Sequence, residues 1–113
     1  MKMKLTCPIE KATSLLGAKW TLEIIYFLQE RRRFCELQEL LGGINPATLT
    51  QRLKLLKAEG IVNREVIPDA QRHVEYKLSA KGTDLVAVYQ DLSMWVSRWY
   101  PEEAYWEKSK PLT

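Results

Sequence analysis

Residues 43–67 read Gly-Ile-Asn-Pro-Ala-Thr-Leu-Thr-Gln-Arg-Leu-Lys-Leu-Leu-Lys-Ala-Glu-Gly-Ile-Val-Asn-Arg-Glu-Val-Ile. The stretch spells a capped helix, a glycine stop and a strand. Asn45 is a good N-cap, and Pro46 suits the first helical turn, where no N–H is needed. Gly60 stands where a left-handed residue is wanted after the helix. Leu49, Leu53 and Leu56 recur at helical spacing and define a buried stripe. At about 100° per residue, the opposite face carries Ala47, Gln51 and Lys54, flanked by Thr48, Thr50 and Arg52. No carboxylate appears on this helix before Glu59. A helix entering the DNA major groove needs such a face, because carboxylates repel phosphates while amides and cations reach base edges. An ordinary amphipathic surface helix has the same periodicity, so the flanking sequence has to decide. Leu55 lies off the stripe and is expected to pack partly against the preceding helices.

Upstream, Pro8 opens a helix with Cys7 near its cap, and Gly17 closes it. Ile9, Ala12, Leu15 and Leu16 are its apolar residues; a helix this short must dock on something. Lys19 to Glu30 is predicted as the next helix, with Trp20, Ile24, Phe27 and Leu28 on one face and Leu22, Ile25 and Tyr26 around much of the rest, as in a central core helix. Arg31-Arg32-Arg33 follows. It fits either a complement to the helix C-terminal dipole or a phosphate clamp. Phe34 to Leu41 is a short helix, and Gly42-Gly43 turns the chain into the opening stretch. Two helices joined by a glycine turn, the second with a polar outer face, make a helix-turn-helix over residues 34–60.

Downstream, Ile61 to Ile67 and His73 to Leu78 read as strands around the loop Pro68-Asp69-Ala70-Gln71-Arg72. Val74, Tyr76 and Leu78 alternate with His73, Glu75 and Lys77. A hairpin over residues 61–78, directly after a helix-turn-helix, reads as a wing with Arg72 at its tip, in reach of a phosphate or the minor groove. A plain hairpin covering the core is the other reading. Ser79 caps a long helix from about Ala80 to Tyr100. Leu85, Leu92 and Trp99 fall seven apart, with Val88 and Trp95 between them, in a heptad-like seam. Val86, Tyr89, Met94 and Val96 widen it beyond what a small core absorbs, which marks a partner surface. In the tail, Tyr105 and Trp106 suggest partial docking. The expected architecture is mainly α with a small β-hairpin (α+β), a winged helix-turn-helix with terminal helices at 7–17 and 80–100.

The 113 residues fit one domain, 1–113, and a hydrophobic content of 46% is that of a globular protein. No apolar run is long enough for a membrane helix, and Met-Lys-Met-Lys-Leu-Thr lacks a signal-peptide core, so a cytoplasmic location and no membrane partner are expected. Cys7 and Cys35 have no CxxC spacing, and His73 is the single histidine, so neither a metal site nor a cofactor is expected. With no glycine-rich phosphate loop and no nucleophile–base pair, an enzyme is not expected. The net charge is +3, and it is unevenly placed. Residues 1–83 hold 14 Lys+Arg against 9 Asp+Glu, and residues 84–113 hold 3 against 5. The basic part contains the opening stretch, which favours a polyanion partner.

This order of elements, with several local phrases, resembles the HxlR-type family of bacterial winged helix-turn-helix regulators over Cys7 to about Trp99. The phrases are Cys7-Pro8, Gly17-Ala18-Lys19-Trp20, Arg33-Phe34 with Glu36-Leu37, and Gly43-Ile44. The run Leu49-Thr50-Gln51-Arg52-Leu53-Lys54 with Leu56 is the most specific. Gly60-Ile61-Val62 with Arg64, Val74-Glu75-Tyr76 with Leu78, and Gly82 complete the set. The resemblance implies a homodimeric transcription regulator on pseudo-palindromic double-stranded DNA, with dimer contacts from the first and last helices. Candidate interface residues are then Ile9, Leu16, Leu85, Val88, Tyr89, Leu92, Trp95, Val96 and Trp99. Two departures stand out. Cys35 occupies the place where the family usually caps the helix with Ser, and Arg72-His73 stands where Pro-Arg is common.

Some members of the family sense oxidants or electrophiles through the cysteine that matches Cys7. Independently, a thiol at a helix N-terminus near Lys4 and Lys11 favours the reactive thiolate, although a small buried hydrophobe is the commoner fate of cysteine. Cys35 is read as a substituted cap, with a resolving partner for Cys7 as the alternative. On this reading, bases are read by Ala47, Thr48, Gln51 and Lys54, and phosphates are held by Thr50, Arg52, Arg33 and Arg72. The alternative function is a winged-helix protein-interaction module without DNA binding.

Overall fold

A computed structural model describes residues 7–102 of the chain, so Lys4, Tyr105 and Trp106 lie outside the described residues. The elements are α1 (Pro8–Leu16), α2 (Thr21–Phe27), α3 (Phe34–Leu40), α4 (Pro46–Ala58), β1 (Val62–Ile67), β2 (His73–Leu78) and α5 (Ala80–Trp99). The two strands pair antiparallel, Val62 opposite Leu78 through Ile67 opposite His73. The architecture is the winged helix-turn-helix that the sequence predicts. Among the described residues, no helix is long and apolar enough to cross a membrane.

The core is built from Ile24, Ile25 and Leu28 around α2, Leu37 and Leu41 at α3, Ile44, the α4 stripe Leu49, Leu53 and Leu56, and Ile61 and Val62 at the hairpin base. Asn45 caps α4: its side-chain oxygen accepts from the Ala47 N–H at 2.8 Å and the Thr48 N–H at 3.4 Å. At the other end Gly60 adopts φ 76°. The Gly60 N–H then reaches Lys57 O and the Ile61 N–H reaches Leu56 O, the paired bonds of a Schellman motif. Leu55 is 39% exposed and lies outside the core cluster.

The second helix is shorter than expected at both ends. Trp20 takes a left-handed conformation, φ 83°, and packs partly buried against the core, so the helix starts at Thr21. At the far end, Arg32 must be extended, because it exchanges both backbone bonds with Tyr76 at 3.0 and 2.7 Å. The chain therefore leaves the helix after Phe27. This bridge adds a third short edge to the hairpin and ties it to the helical body. Cys35 is also placed differently. The N-cap of α3 is Arg33, whose N–H donates to Glu36 Oε1 at 2.8 Å, so Glu36 supplies the capping contact and Cys35 sits exposed inside the first turn. An arginine has no acceptor of its own to complete a reciprocal cap.

The N-terminus of α5 is locked to the end of α4. Ser79 accepts from the Gly82 N–H at 3.1 Å, donates its hydroxyl to Gly60 O at 2.5 Å, and its own N–H donates to Ile61 O at 2.9 Å. Gly82 is buried, and a Cβ there would collide with the carbonyl oxygen of Ile61. Gly82→Ala gains helix propensity of up to about 1 kcal/mol, but the clash is with backbone that cannot rotate away. We expect a net loss of about 1–3 kcal/mol of stability, read as a lower urea midpoint; an unchanged or raised midpoint would contradict this packing.

Candidate nucleic-acid interface

The α4 stripe decides which face points outward. With Leu49, Leu53 and Leu56 buried, Ala47, Gln51 and Lys54 are exposed together on the opposite side, with Thr50 exposed beside them and Thr48 half-buried. Capping by Asn45 fixes the entry of this helix, and the preceding turn is held by Gln38 Nε2 donating to Ile44 O at 3.1 Å. The result is a rigid helix with a polar outer row of methyl, amide and ammonium groups. Arg52 is half-buried, and its Nε donates to Lys19 O at 3.0 Å, which draws the guanidinium toward the α1–α2 turn.

Arg31, Arg32 and Arg33 have three different employments. In the hairpin register, Glu65 and Glu75 stand directly opposite each other. Opposed like charges destabilise a strand pair. Arg31 resolves this by donating to Glu65 Oε1 at 2.6 Å and Glu75 Oε1 at 3.1 Å. Lys77 adds a contact to Glu65 at 3.5 Å, and His73 Nε2 lies 2.8 Å from Glu75 Oε2. The Arg31 hydrogen bond, with Lys77 assisting, lowers the pKa of Glu65; the His73 hydrogen bond, then Arg31, lowers that of Glu75. The same two carboxylates raise the pKa of Arg31. Arg32 donates from Nε to Phe27 O at 2.9 Å. Arg31 and Arg32 are thus structural: Arg32 complements the C-terminal end of α2, as one reading of the run expects, whereas Arg31 serves the hairpin carboxylates, which neither reading describes. Arg33 remains exposed at the α3 cap.

At the wing tip, Asp69 organises the loop: its side chain accepts from the Gln71 N–H at 3.0 Å and its carbonyl from the Arg72 N–H at 3.1 Å. Arg72 is exposed there. The structure also exposes cations that the sequence reading did not single out. Lys57, one turn beyond Lys54, and Arg64, on β1, line one cleft with Lys54, Thr50, Leu53 and Tyr76. The i, i+3 spacing of Lys54 and Lys57 was a readable signal for part of this. The approach of Arg64 depends on how β1 leaves Gly60 and was not.

On α5, the candidate seam divides. Leu85 packs against the core and Tyr89 stacks on Tyr26 with ring centroids 4.6 Å apart. Val88, Leu92, Trp95 and Trp99, spaced by four, three and four residues, are 42%, 47%, 52% and 65% exposed. Val96 is half-buried. On α1, Leu16 packs inward, while Ile9 is 67% exposed. Cys7, at the α1 cap, and Cys35 are both free and exposed. Among the described residues, no group of three His, Cys, Asp or Glu side chains is arranged to hold a metal ion.

Known proteins share this fold. A family model described as HxlR-like helix-turn-helix matches residues 15–104. The HTH-type transcriptional regulator YodB of Bacillus subtilis is 40% identical over 94 residues, which span 81% of this chain and 84% of YodB. The uncharacterized HTH-type transcriptional regulator YvaP of the same organism is 36% identical over 95 residues, 82% of this chain and 88% of YvaP. The solved reduced form of YodB superposes with a TM-score of 0.75 at 39% identity, covering 85% of this chain and 96% of that one. YodB has also been solved bound to quinone (TM-score 0.72, 38% identity, covering 83% and 100%). The redox regulator HypR in its reduced form gives a TM-score of 0.76 at 30% identity, covering 86% and 99%.

The Arg31 cluster has a defined pH signature. A carboxylate whose folded pKa is depressed adds stability that is present above its unfolded pKa and is lost as pH falls through the folded value. Arg31→Met removes the cation and leaves Glu65 facing Glu75. The stability difference between wild type and Arg31→Met should therefore be present at pH 7 and shrink as pH falls below the ordinary carboxylate range near about 4. Urea unfolding across pH 3–7 checks this, and a difference that stays constant over the range would rule out the two carboxylates as its source.

Proposed function

The chain belongs to the HxlR-like helix-turn-helix family of transcriptional regulators, and from that premise we propose that it is a sequence-specific double-stranded DNA-binding regulator that acts as a homodimer. The observation that carries the proposal is the outward face of α4: Ala47, Gln51 and Lys54 are exposed on a helix capped at both ends, with no carboxylate between Pro46 and Ala58. In the major groove, Gln51 can donate to and accept from adenine, Ala47 or Thr48 can contact a thymine methyl, and Lys54 can reach guanine. Thr50, Arg33, Arg72 and the remaining guanidinium nitrogens of Arg52 take phosphates, which fix register without reading sequence.

The homodimer reading is supported by the uncovered apolar row Val88, Leu92, Trp95 and Trp99 and by the exposed Ile9. Two copies that bury these rows against each other place two α4 helices on one side of a two-fold axis. The operator is then a pseudo-palindrome with half-sites one helical turn, or a multiple of it, apart.

A redox or electrophile response is proposed at Cys7. Its thiol is exposed at the start of α1, the helix that also carries the exposed Ile9, a candidate dimer contact. Chemistry at that thiol would act on the interface and, through it, on the spacing of the two α4 helices. The neighbours YodB, solved with quinone, and HypR, described as a redox regulator, support this reading.

Replacing Gln51 by Ala should cost roughly 1–3 kcal/mol on the cognate duplex and relax preference at one position, whereas Arg72→Ala should weaken binding across sequences and lower the salt slope by about 1. Equal loss on all sequences would remove Gln51 from the reading set, and an unaltered slope would remove Arg72 from the phosphate set. A mild oxidant should change DNA affinity in the wild type and leave Cys7→Ser unchanged; the same response in both proteins would exclude Cys7 as the sensor.

A further inference from the structure

Two clefts flank the hairpin, and their charges are in different states. The larger, about 520 Å³, lies between the end of α2, β2 and α5, with Arg31 and Lys77 among its lining residues. Both cations are already matched, Arg31 by Glu65 and Glu75, and Lys77 by Glu65. The smaller, about 380 Å³, lies between α4 and the hairpin and is lined by Thr50, Leu53, Lys54, Lys57, Arg64 and Tyr76. None of these six is acidic. Among the described residues, the side chains of Lys54, Lys57 and Arg64 join no ion pair or hydrogen bond.

We propose that the smaller cleft binds one phosphodiester of the DNA backbone, held chiefly by Lys57 and Arg64, so that the recognition helix and the wing grip the same strand at one point. The proposal rests on the DNA-binding reading above. Three cations brought into one concavity repel each other, and an anion among them removes that repulsion. The low-dielectric walls, Leu53 and Tyr76, focus the positive potential instead of letting solvent dissipate it. Arg64 supplies a fork suited to two phosphate oxygens, and Thr50 supplies a neutral hydroxyl donor. Lys54 adds its charge from the border with the base-reading row.

The placement is fixed by two elements that cannot drift apart. Lys57 stands in the last turn of α4, and Arg64 follows the Schellman turn by a few residues on β1, paired across the hairpin with Tyr76. Tyr76 is in turn bridged to Arg32. A phosphate seated here lies beside Thr50 and Lys54, along the edge of the groove that α4 would enter. A free inorganic phosphate shares this chemistry, and the cleft's position against the reading helix favours the backbone as the source.

The test compares wild type, the double variant Lys57→Gln/Arg64→Gln, and the control Arg98→Gln, whose cation is exposed on α5 away from the cleft. Affinity for a selected duplex is measured between 50 and 200 mM salt, with thermal melting curves to confirm folding. Losing one neutralised phosphate lowers the slope of log affinity against log salt by about 0.9, so over this range the wild type should lose about 3–4-fold more affinity than the double variant. Base preference and the Arg98→Gln slope should match wild type. An unchanged slope in the double variant would overturn the proposal. In a second arm, inorganic phosphate is titrated into DNA-free protein. Saturable binding that the double variant loses, with the DNA salt slope unchanged, would assign the cleft to a free anion and not to the backbone. A wild type that bound no duplex would remove the DNA-binding reading itself before any variant is compared, and the backbone assignment with it.

Discussion

The carbonyl groups of Gly60 and Ile61 are where the three working parts of the molecule meet. The Ile61 N–H closes α4 onto Leu56 O, while Ile61 O accepts from Ser79 and lies under Gly82 of α5. Gly60 O accepts the Ser79 hydroxyl. Between Ile61 and Ser79 the hairpin leaves and returns. One turn therefore sets the exit of the recognition helix, the base of the wing and the start of the long terminal helix. The buried side chains of Ile61 and Val62 anchor this turn in the core.

Among the described residues, the cations of α4, the wing and the arginine run fall into two groups, and this division gives the candidate interface its character. Arg31 and Arg32 are engaged by the fold, one separating two opposed glutamates and one reaching Phe27 O, while Arg52 is tethered to Lys19 O through Nε alone. Lys54, Lys57, Arg64 and Arg72 are left to solvent, on α4 and the wing. Their arrangement leaves the basic potential of the chain on the face that would meet phosphates, while the acidic residues of the hairpin are neutralised behind it.

Much of this was legible in the sequence because it is governed by local rules. Asn45-Pro46, the leucine stripe and Gly60 specify α4 and both its ends without reference to the rest of the chain. Pro8, Gly17 and Ser79 do the same for two further helices, and the turn residues between two β-rich runs specify the hairpin. The failures are all tertiary. The helix expected from Lys19 was shortened by Trp20, whose ring is drawn to the core at the expense of a left-handed backbone. Its far end was shortened by a bridge to Tyr76, more than forty residues away. Arg31 could not be separated from Arg33 by composition, since only strand register shows that Glu65 and Glu75 need a cation between them. The cleft of Lys57 and Arg64 joins two elements and has no sequence signature of its own beyond the spacing of two lysines.

The proposed dimer and the proposed reading face depend on each other. A single α4 covers only a few base pairs, and the uncovered row Val88, Leu92, Trp95 and Trp99 supplies the means to double that coverage with a fixed spacing. Selection of bound duplexes from a random pool tests the two together. The account predicts enrichment of an inverted repeat whose half-sites are one helical turn, or a multiple of it, apart. A pool that shows no enrichment, or that enriches a single unrepeated half-site, would contradict it.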